Sequence, residues 1–330
     1  MRGPEFIYRV GFLLMPEFSM SAVMLAIDTL RLANKALSKN VYSWTTLASK
    51  PGEVTGSNGL DLNAQRAFTD ADEFDAILVC GGVNIQKYDD PAVTAYIRRK
   101  VAHGADIGAF CTGSFVLAKA GLMNGYRCTI HWESIPALIE QFPDVEVVSE
   151  LFVADRNRLT CAGGVSVIDL MLNIISQQKG WDVATTVADD MLHHRIRTEN
   201  EGQRMDLRSR SGIAHPKLLR VIADMENNIE TPLSCSKLAN NVCLSTRQLE
   251  RLFRTYLAVP PTKYYLRMRL GRARFLLQQT SLSIFDVALA SGFISASHFS
   301  KCFREYFGEP PSGERRRNQS ISPSTLELVG

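Results

Sequence analysis

The spacing of apolar residues changes once along this 330-residue chain, and that change limits the folds open to it. Up to about residue 195, short apolar runs that suit buried strands alternate with segments of helical spacing. From residue 217 to about 307, apolar residues recur at helical spacing only. The chain is also long for one compact core. We therefore predict two domains of different class.

The first domain, residues 1–197, is predicted to be α/β, with a doubly wound, mostly parallel sheet. The expected strands are residues 8–15, 43–49, 75–80, 105–110, 145–153 and 159–161. The expected helices are residues 18–37, 91–102, 114–120, 134–141, 165–178 and 182–195.

The second domain, residues 217–317, is predicted to be all-α. Residues 198–216 are polar, of mixed charge, and contain two glycines and a proline, which favours a linker. Residues 318–330 are expected to be a tail.

The composition is typical of a soluble globular protein, with 45% hydrophobic and 22% charged residues. No apolar stretch approaches the roughly 18 residues that a membrane-spanning helix needs. The seven cysteines form no Cys-x-x-Cys pair of the kind that binds zinc. We expect a cytoplasmic protein with no membrane partner, no metal and no cofactor.

Positive charge is concentrated in the predicted all-α domain. Residues 217–317 contain 16 Lys and Arg against 8 Asp and Glu, whereas the rest of the chain has 21 against 26. A basic domain on an acidic body is expected when one domain meets a polyanion such as double-stranded DNA. A solvated basic surface has the same composition, so charge alone leaves both interpretations open.

Two copies of a helix, a tight turn and an amphipathic helix occupy this domain, at residues 238–256 and 284–307. We call them the first and second helix-turn-helix units, and Ser245 and Ser295 are their predicted N-caps. In such a unit the second helix presents its side chains to the major groove, while nearby cations hold phosphates. The candidate DNA-binding residues are Arg247, Glu250, Arg251 and Arg254 in the first unit, and Ala296, Ser297, Ser300, Lys301 and Arg304 in the second.

One helix, residues 261–279, is predicted between the two units. At 1.5 Å per residue it is about 28 Å long, close to the ~34 Å repeat of the major groove. A single chain could therefore place both units on one side of a duplex. Any helical bundle has apolar stripes and turns, but two capped, basic units with a fitting spacer favour DNA binding.

The stretch 261–310 resembles the signature of the AraC/XylS-type transcription regulators. The resemblance rests on residues at fixed spacing, among them Gly292-Phe293, Phe299-Ser300 and Phe307-Gly308, and covers the last third of the chain. It implies a seven-helix DNA-binding domain in which the candidates other than Arg254 and Arg304 face bases. At Ser312-Gly313-Glu314 the chain departs from the family's usual arginine, which leaves the end of the last helix undefined.

A strand, a sharp turn and a helix meet at residues 108–113 of the first domain. This is the arrangement of a nucleophile elbow, in which the turn exposes a side chain beside backbone N–H groups at a helix N-terminus. Cys111 has that position, and Thr112 follows it. A helix N-terminus lowers the pKa of a thiol, which would make Cys111 reactive. The alternatives are a pocket residue without chemistry or a small buried side chain.

Two further segments suit this elbow: Cys80-Gly81-Gly82-Val83, whose N–H groups could hold an oxyanion or carboxylate, and His131-Trp132-Glu133. Together they resemble the ThiJ/PfpI, or class I glutamine amidotransferase-like, superfamily over roughly residues 6–195. With the C-terminal resemblance, this implies the branch of AraC-type regulators that carries such a domain as a sensor. Regulators of betaine, carnitine or amino-acid catabolism are similar in this domain, which implies an amine or amino-acid-like effector.

The segment 131–133 has two interpretations. An aromatic face beside a carboxylate can hold a cationic or quaternary amine, which makes Trp132 and Glu133 candidates for that end of a ligand. Packing at a helix start explains them as well, and His131 alone is more often a satisfied, partly buried histidine. The ligand-binding candidates are Gly81, Gly82, Val83, Cys111, Thr112, His131, Trp132 and Glu133.

Catalysis by Cys111 needs a base within hydrogen-bond reach and a group that orients it. Thr112 stands where the superfamily's peptidases have histidine, and Ser19-Met20-Ser21-Ala22 stands where the superfamily often has a carboxylate. We therefore assign no catalytic residue. The alternative is a cysteine-dependent amidase or isonitrile-hydratase-like enzyme fused to a DNA-binding domain.

The sequence thus predicts a DNA-binding transcriptional regulator, an activator that responds to a small amine or amino-acid-like metabolite bound in the first domain. The expected partners are double-stranded DNA, this effector, and a second copy of the chain in a homodimer that pairs through the first domain. RNA polymerase is a further candidate partner.

Overall fold

The computed structural model describes residues 6–320, which divide between Arg204 and Met205 into two compact units. The predicted tail from residue 321 onward lies outside the described residues. The stretch 198–216, predicted as a linker, has residues in both units. Within it, Asp206 caps a five-residue helix by accepting a hydrogen bond from the Ser209 N–H.

The first unit is built on a seven-stranded sheet in the order β10-β11-β7-β6-β1-β2-β5. Neighbouring strands are parallel except β10 and β11, which confirms the predicted mostly parallel sheet. The strands of this unit are β1 (Tyr8–Leu14), β2 (Tyr42–Ala48), β3 (Gly52–Thr55), β4 (Asp61–Ala64), β5 (Arg66–Ala67), β6 (Ala76–Cys80), β7 (Asp106–Phe110), β8 (Arg127–Cys128), β9 (Glu146–Val147), β10 (Phe152–Asp155) and β11 (Arg158–Cys161).

Helices bury this sheet. α1, α5 and α6 pack against one another and share a core with Val10, Phe12 and Leu14 of β1, while α2 and α3 contact each other and β7. Every residue of β6 is buried as a result, which explains its continuous apolar sequence. The helices are α1 (Met20–Leu37), α2 (Pro91–Ala102), α3 (Ser114–Lys119), α4 (Ile135–Gln141), α5 (Ser166–Lys179) and α6 (Trp181–Asp190).

The two-residue strands β5 and β8 were not predicted, and three longer features also differ from the predictions. The hairpin of β3 and β4 was not predicted, because its short strands are largely polar. The strand expected at 145–153 is divided into β9 and β10, because β9 pairs with β8 in a separate two-stranded sheet and β10 pairs with β11 in the main sheet. The helix expected at 182–195 ends at Asp190, before its two histidines.

A buried carboxylate fixes the chain beyond α6. Asp169 of α5 has no exposed surface, and its oxygens accept hydrogen bonds from His193 Nε2 (2.8 Å), Arg197 N (2.8 Å) and Arg197 Nε (2.9 Å). A buried charge is stable only when it is paired and hydrogen-bonded in this way. Residues 193–197 are therefore held against α5 and cannot continue the helix.

The second unit has helices and no strand among its described residues, and it has two small cores. Leu238, Leu249 and Phe253 lie in the first core, and Phe299 and Phe303 lie in the second. One helix, α11, contributes to both cores and so joins the two helix-turn-helix units. The helices are α7 (Leu207–Ser211), α8 (Pro216–Asn227), α9 (Cys235–Asn241), α10 (Thr246–Leu257), α11 (Pro261–Gln279), α12 (Ile284–Ala290), α13 (Ala296–Phe307) and α14 (Pro311–Ser320).

The last helix is held against α11 by Glu314, which lies in the segment where the chain departs from the AraC-type pattern. α14 begins at Pro311 and includes Glu314, whose side chain is buried. Its Oε1 accepts hydrogen bonds from Arg274 Nε (3.0 Å) and Gln278 Nε2 (2.6 Å) of α11. Glu314 thus defines where α14 packs.

Across residues 6–320, no helix is both long and apolar enough to cross a membrane.

We predict that Asp169→Ala lowers the free energy of unfolding of the first unit by about 3–5 kcal/mol, because Arg197 is left without its buried partner. All three tryptophans lie in this unit, so tryptophan fluorescence during urea unfolding of the full chain reports on it alone. Asp28→Ala is the matched control, since Asp28 is exposed and pairs only at the surface with Arg31. Its loss should stay below about 1 kcal/mol. Equal losses in both variants would contradict the role given to Asp169.

Candidate functional site

Serine caps begin the second helix of each helix-turn-helix unit. The Ser245 hydroxyl accepts a hydrogen bond from Gln248 N (3.2 Å), and Gln248 Oε1 accepts one from Ser245 N (2.8 Å), which completes a capping box. In the second helix-turn-helix unit the Ser295 hydroxyl accepts a hydrogen bond from His298 N (3.3 Å). Both predicted N-caps are confirmed.

The predicted DNA-binding residues fall into two sets, one on α10 and one on α13. Their side chains lie away from the buried residues Leu249, Phe253, Phe299 and Phe303. The exposed residues are Arg247, Glu250, Arg251, Arg254, Ser297, Lys301 and Arg304, and the partly buried ones are Ala296 and Ser300. Each helix therefore presents cations and hydrogen-bonding groups to solvent along one face.

The second helix-turn-helix unit has one exposed residue that the sequence interpretation missed. Cys243 and Gly292 occupy the same place in the two turns, with φ angles of 52° and 77°. One residue separates Cys243 from its serine cap, but two separate Gly292 from Ser295. The additional residue is Ile294, which is 96% exposed directly before α13. Aligning the two copies reveals it, and its side chain has the chemistry to contact a thymine methyl group.

The elbow of the first unit has the geometry that the sequence predicts. Cys111 follows β7 with a φ of 56°, a conformation that is uncommon for residues other than glycine. The turn is held from both sides: Gly81 N donates to Phe110 O (3.2 Å), and His131 N donates to Cys111 O (3.3 Å). α3 then begins at Ser114.

Two glycines allow the loops after β1, β6 and β7 to meet at the elbow. A Cβ atom on Gly81 would lie 2.1 Å from Gly113 N, and one on Gly82 would lie 1.5 Å from Glu17 O. No larger residue fits either place without a shift of the backbone. The Thr112 hydroxyl donates to Gly82 O at 2.6 Å and ties the two loops together.

A fourth loop reaches the same place and was missed. Gly163, with a φ of 96°, approaches so closely that a Cβ atom there would lie 3.0 Å from Cys111 Cβ. Val165, two residues later, is exposed, as is Val83 beside Gly82. The pair Gly163-Gly164 follows β11 after one residue, and Gly81-Gly82 follows β6 directly, so a glycine pair after a strand is the signal that could have identified this loop.

The segment 131–133 borders the elbow. His131 Nδ1 lies 3.6 Å from Glu133 Oε2, and burial lowers the pKa of His131 although the Glu133 charge opposes that shift. The Trp132 side chain is 39% exposed. The guanidinium of Arg204 lies 4.5 Å from the centroid of its ring, which is within cation–π distance. Arg204 was missed because it lies in the stretch predicted as linker.

The expectation of an activated thiol is wrong. Burial raises the pKa of Cys111 to about 11, and the nearby Glu133 carboxylate acts in the same direction. Hydrogen bonds from Thr112 favour the thiolate but are outweighed by the loss of water around the sulfur. Cys111 is therefore a neutral thiol at pH 7. It is a side chain of the elbow without the ionisation that nucleophilic catalysis requires.

Two cavities, of about 270 and 680 Å³, lie at the opposite ends of the strands, near the starts of β1, β6 and β7. Their charged side chains pair with one another, as Arg9 does with Glu73 (2.9 Å) and Arg99 with Asp70 (2.8 Å). Ligands of parallel α/β domains bind at the carboxyl ends of the strands, so the elbow is the better candidate site.

In the part of the chain that the structure describes, no three His, Cys, Asp or Glu side chains are grouped to hold a metal ion.

Comparison with known proteins agrees with both halves of this geometry. Residues 8–177 match the DJ-1/PfpI family, and residues 238–317 match a helix-turn-helix domain. The HTH-type transcriptional regulator GbdR of Pseudomonas aeruginosa is 42% identical over 325 residues, which cover 98% of this chain and 88% of GbdR. CdhR of the same species, also an HTH-type transcriptional regulator, is 40% identical over 92% of this chain and 90% of its own length.

A solved structure extends the similarity. The crystal structure of an AraC family transcriptional regulator from Pseudomonas putida is 31% identical with a TM-score of 0.53, covering 56% of this chain and 99% of its own. The chain belongs to the AraC-type transcriptional regulators. It is a regulator that binds double-stranded DNA, and its first unit is a DJ-1/PfpI domain.

The enzyme alternative has less support. An isonitrile hydratase of Pseudomonas putida is 31% identical over 182 residues, which cover 54% of this chain and 75% of the hydratase. The relatives that align over nearly the whole chain are named as regulators instead. The regulator is therefore not assigned an enzymatic activity.

We predict that iodoacetamide modifies Cys111 of the regulator more slowly at pH 7 than it modifies the exposed Cys243. Because the raised pKa leaves a small thiolate fraction, the rate at Cys111 should rise about tenfold per pH unit up to a pKa of about 11. Peptide mass spectrometry after timed labelling measures both rates. A Cys111 rate that exceeds the Cys243 rate and levels off below pH 8 would contradict the protonated thiol.

Proposed function

We propose that the regulator binds a specific operator through α10 and α13 together and activates transcription in response to a small zwitterionic metabolite. The observation that carries this proposal is the pair of capped, cation-bearing helices on two cores joined by α11. α11 has 19 residues and is about 28 Å long, which suits two neighbouring turns of one duplex.

The two exposed sets divide into base contacts and phosphate contacts in this proposal. Arg247 and Arg251 lie in the first two turns of α10 and have the chemistry to recognise guanine. Arg254 and Arg304, further along their helices, would hold phosphates. On α13 the base contacts come from Ala296, Ser297, Ser300 and Lys301, next to the exposed Ile294.

Assembly and output complete the proposal. One chain has two different helix-turn-helix units. Pairing of two chains through their DJ-1/PfpI domains would raise the effective concentration of these units at tandem half-sites. We propose a cytoplasmic homodimer that activates through contact with RNA polymerase.

The effector is proposed to lie between the elbow and Trp132. Loops from four strands converge at the elbow, and the neutral thiol of Cys111 adds no negative charge that would repel an anion. Backbone N–H groups around Gly82 and Cys111 would hold a carboxylate. Trp132 and Glu133 would hold an amine or quaternary ammonium, as an aromatic face and a carboxylate do. A betaine, a carnitine or an amino acid has both groups.

We predict that Arg251→Ala and Lys301→Ala each weaken operator binding and relax base preference by about 1–3 kcal/mol at the contacted base pair. The operator is a duplex selected by the full chain from a random library, and fluorescence anisotropy at several salt concentrations measures affinity. Arg208→Ala is the control, because Arg208 is an exposed cation of α7 outside both helix-turn-helix units. The same titration should show two chains per operator.

An Arg251→Ala variant with wild-type affinity and wild-type sequence preference would show that the first helix-turn-helix unit is misassigned. A stoichiometry of one chain per operator would contradict the homodimer.

We predict that the regulator binds glycine betaine and that Trp132→Ala weakens this binding by about 0.5–2 kcal/mol, the value of a cation–π contact. The matched control ligand is 3,3-dimethylbutanoate, which has the same shape and carboxylate but no positive charge. Isothermal titration calorimetry compares the two ligands. If the wild type bound them equally, the ammonium end of the proposed site would be wrong.

A further inference from the structure

Arg204 occupies the position that the proposed function gives to the ligand's ammonium group. Its guanidinium lies 4.5 Å from the centroid of the Trp132 ring, a distance at which the ring attracts a cation. A cationic ligand that uses this indole face must take the place of Arg204. The chain thus supplies its own competitor for the cation end of the site.

The residues before Arg204 are docked along the same side of the first unit. We call residues 198–204 the strap. Leu151 N donates to Glu201 O (3.0 Å), and Glu150 and Gly202 form an antiparallel bridge. Next to them, the Gln203 amide donates to Thr129 Oγ1 (2.8 Å), Ile130 O (2.9 Å) and Glu150 O (2.9 Å). The strap is therefore bound to the backbone that leads directly into residues 131–133.

The buried polar atoms of the docked strap are not all hydrogen-bonded. Gln203 Oε1 is buried and has no hydrogen-bond partner among the described residues. A buried acceptor without a partner makes a docked state less stable than its other contacts suggest. Such a segment is suited to be released by a modest change in its contacts, for example the loss of one cation–π pair.

The strap also leads straight to the DNA-binding unit. Arg204 is the last residue of the first unit, and Met205 is the first residue of the second. Upstream, Asp169 holds Arg197, so release of the strap frees only the residues that follow this anchor. A change at Trp132 therefore acts on the covalent connection between sensor and DNA-binding unit.

We propose that Arg204 is a tethered competitor of the effector: a cationic ligand displaces it from Trp132, the strap is released, and operator affinity changes. This proposal rests on the proposed function for its ligand class, whereas the contact between Arg204 and Trp132 is part of the described structure. The ligand can shift the equilibrium only by its differential affinity for the docked and released states.

The ligand-free chain provides the first test. Arg204→Gln and Trp132→Ala both remove the contact, so each should change the operator affinity of the ligand-free regulator in the same direction, by about 2- to 30-fold. The double variant should show no further change, because both substitutions break one interaction. Arg208→Gln, which removes the same charge four residues later, should retain wild-type affinity.

Folding does not limit this test, because Arg204 is exposed and Arg204→Gln leaves the core untouched. Wild-type operator affinity in folded Arg204→Gln would overturn the proposal, and so would additive effects of the two single substitutions.

Ligand affinity provides the second test. Removal of a competitor should let Arg204→Gln bind glycine betaine about 2- to 30-fold more tightly than the wild type does. If betaine binds neither protein, the proposed ligand class is wrong, and the ligand-free comparison still decides the role of the strap. If betaine binds both equally and the ligand-free operator affinities are equal, the strap has no role and the proposed function stands.

Discussion

The buried carboxylate of Asp169 determines how the chain leaves the first unit, and the arrangement around the candidate ligand site depends on it. Its hydrogen bonds to His193 and Arg197 stop the helix expected there and hold the chain against α5. The strap then begins from a fixed point and pairs with Glu150 and Leu151. This path is what brings Arg204 to Trp132, so one electrostatic interaction deep in the core positions a side chain at the candidate site.

The elbow keeps the shape of a catalytic turn but has different electrostatics. Cys111 has a positive φ, as does the nucleophile of hydrolases at this position, and the turn lies in close backbone contact with Gly81 and Gly163. Burial, however, keeps the thiol protonated at neutral pH. In an enzyme, backbone N–H groups at such a turn stabilise an oxyanion, and the proposed function gives those around Gly82 and Cys111 a carboxylate instead. The turn thus keeps the backbone shape of the hydrolases without the ionised thiol that nucleophilic catalysis requires.

Features set by short-range spacing could be predicted from the sequence, whereas features set by distant contacts could not. The caps at Ser245 and Ser295, α11 and the elbow at Cys111 each follow from residues within a few positions of one another. The strap pairs residues 50 positions apart, such as Leu151 with Glu201, in a polar stretch that has no apolar periodicity. The pKa of Cys111 was mispredicted for the same reason, since it depends on burial by loops from four strands.

The central claim is that ligand binding and DNA binding are coupled within one chain. Operator affinity of the full-length regulator, measured at fixed salt with and without saturating glycine betaine, tests it most directly. Coupling requires the two values to differ, and it requires the operator to change betaine affinity by the same factor. Identical operator affinities in the presence and absence of bound betaine would contradict the account.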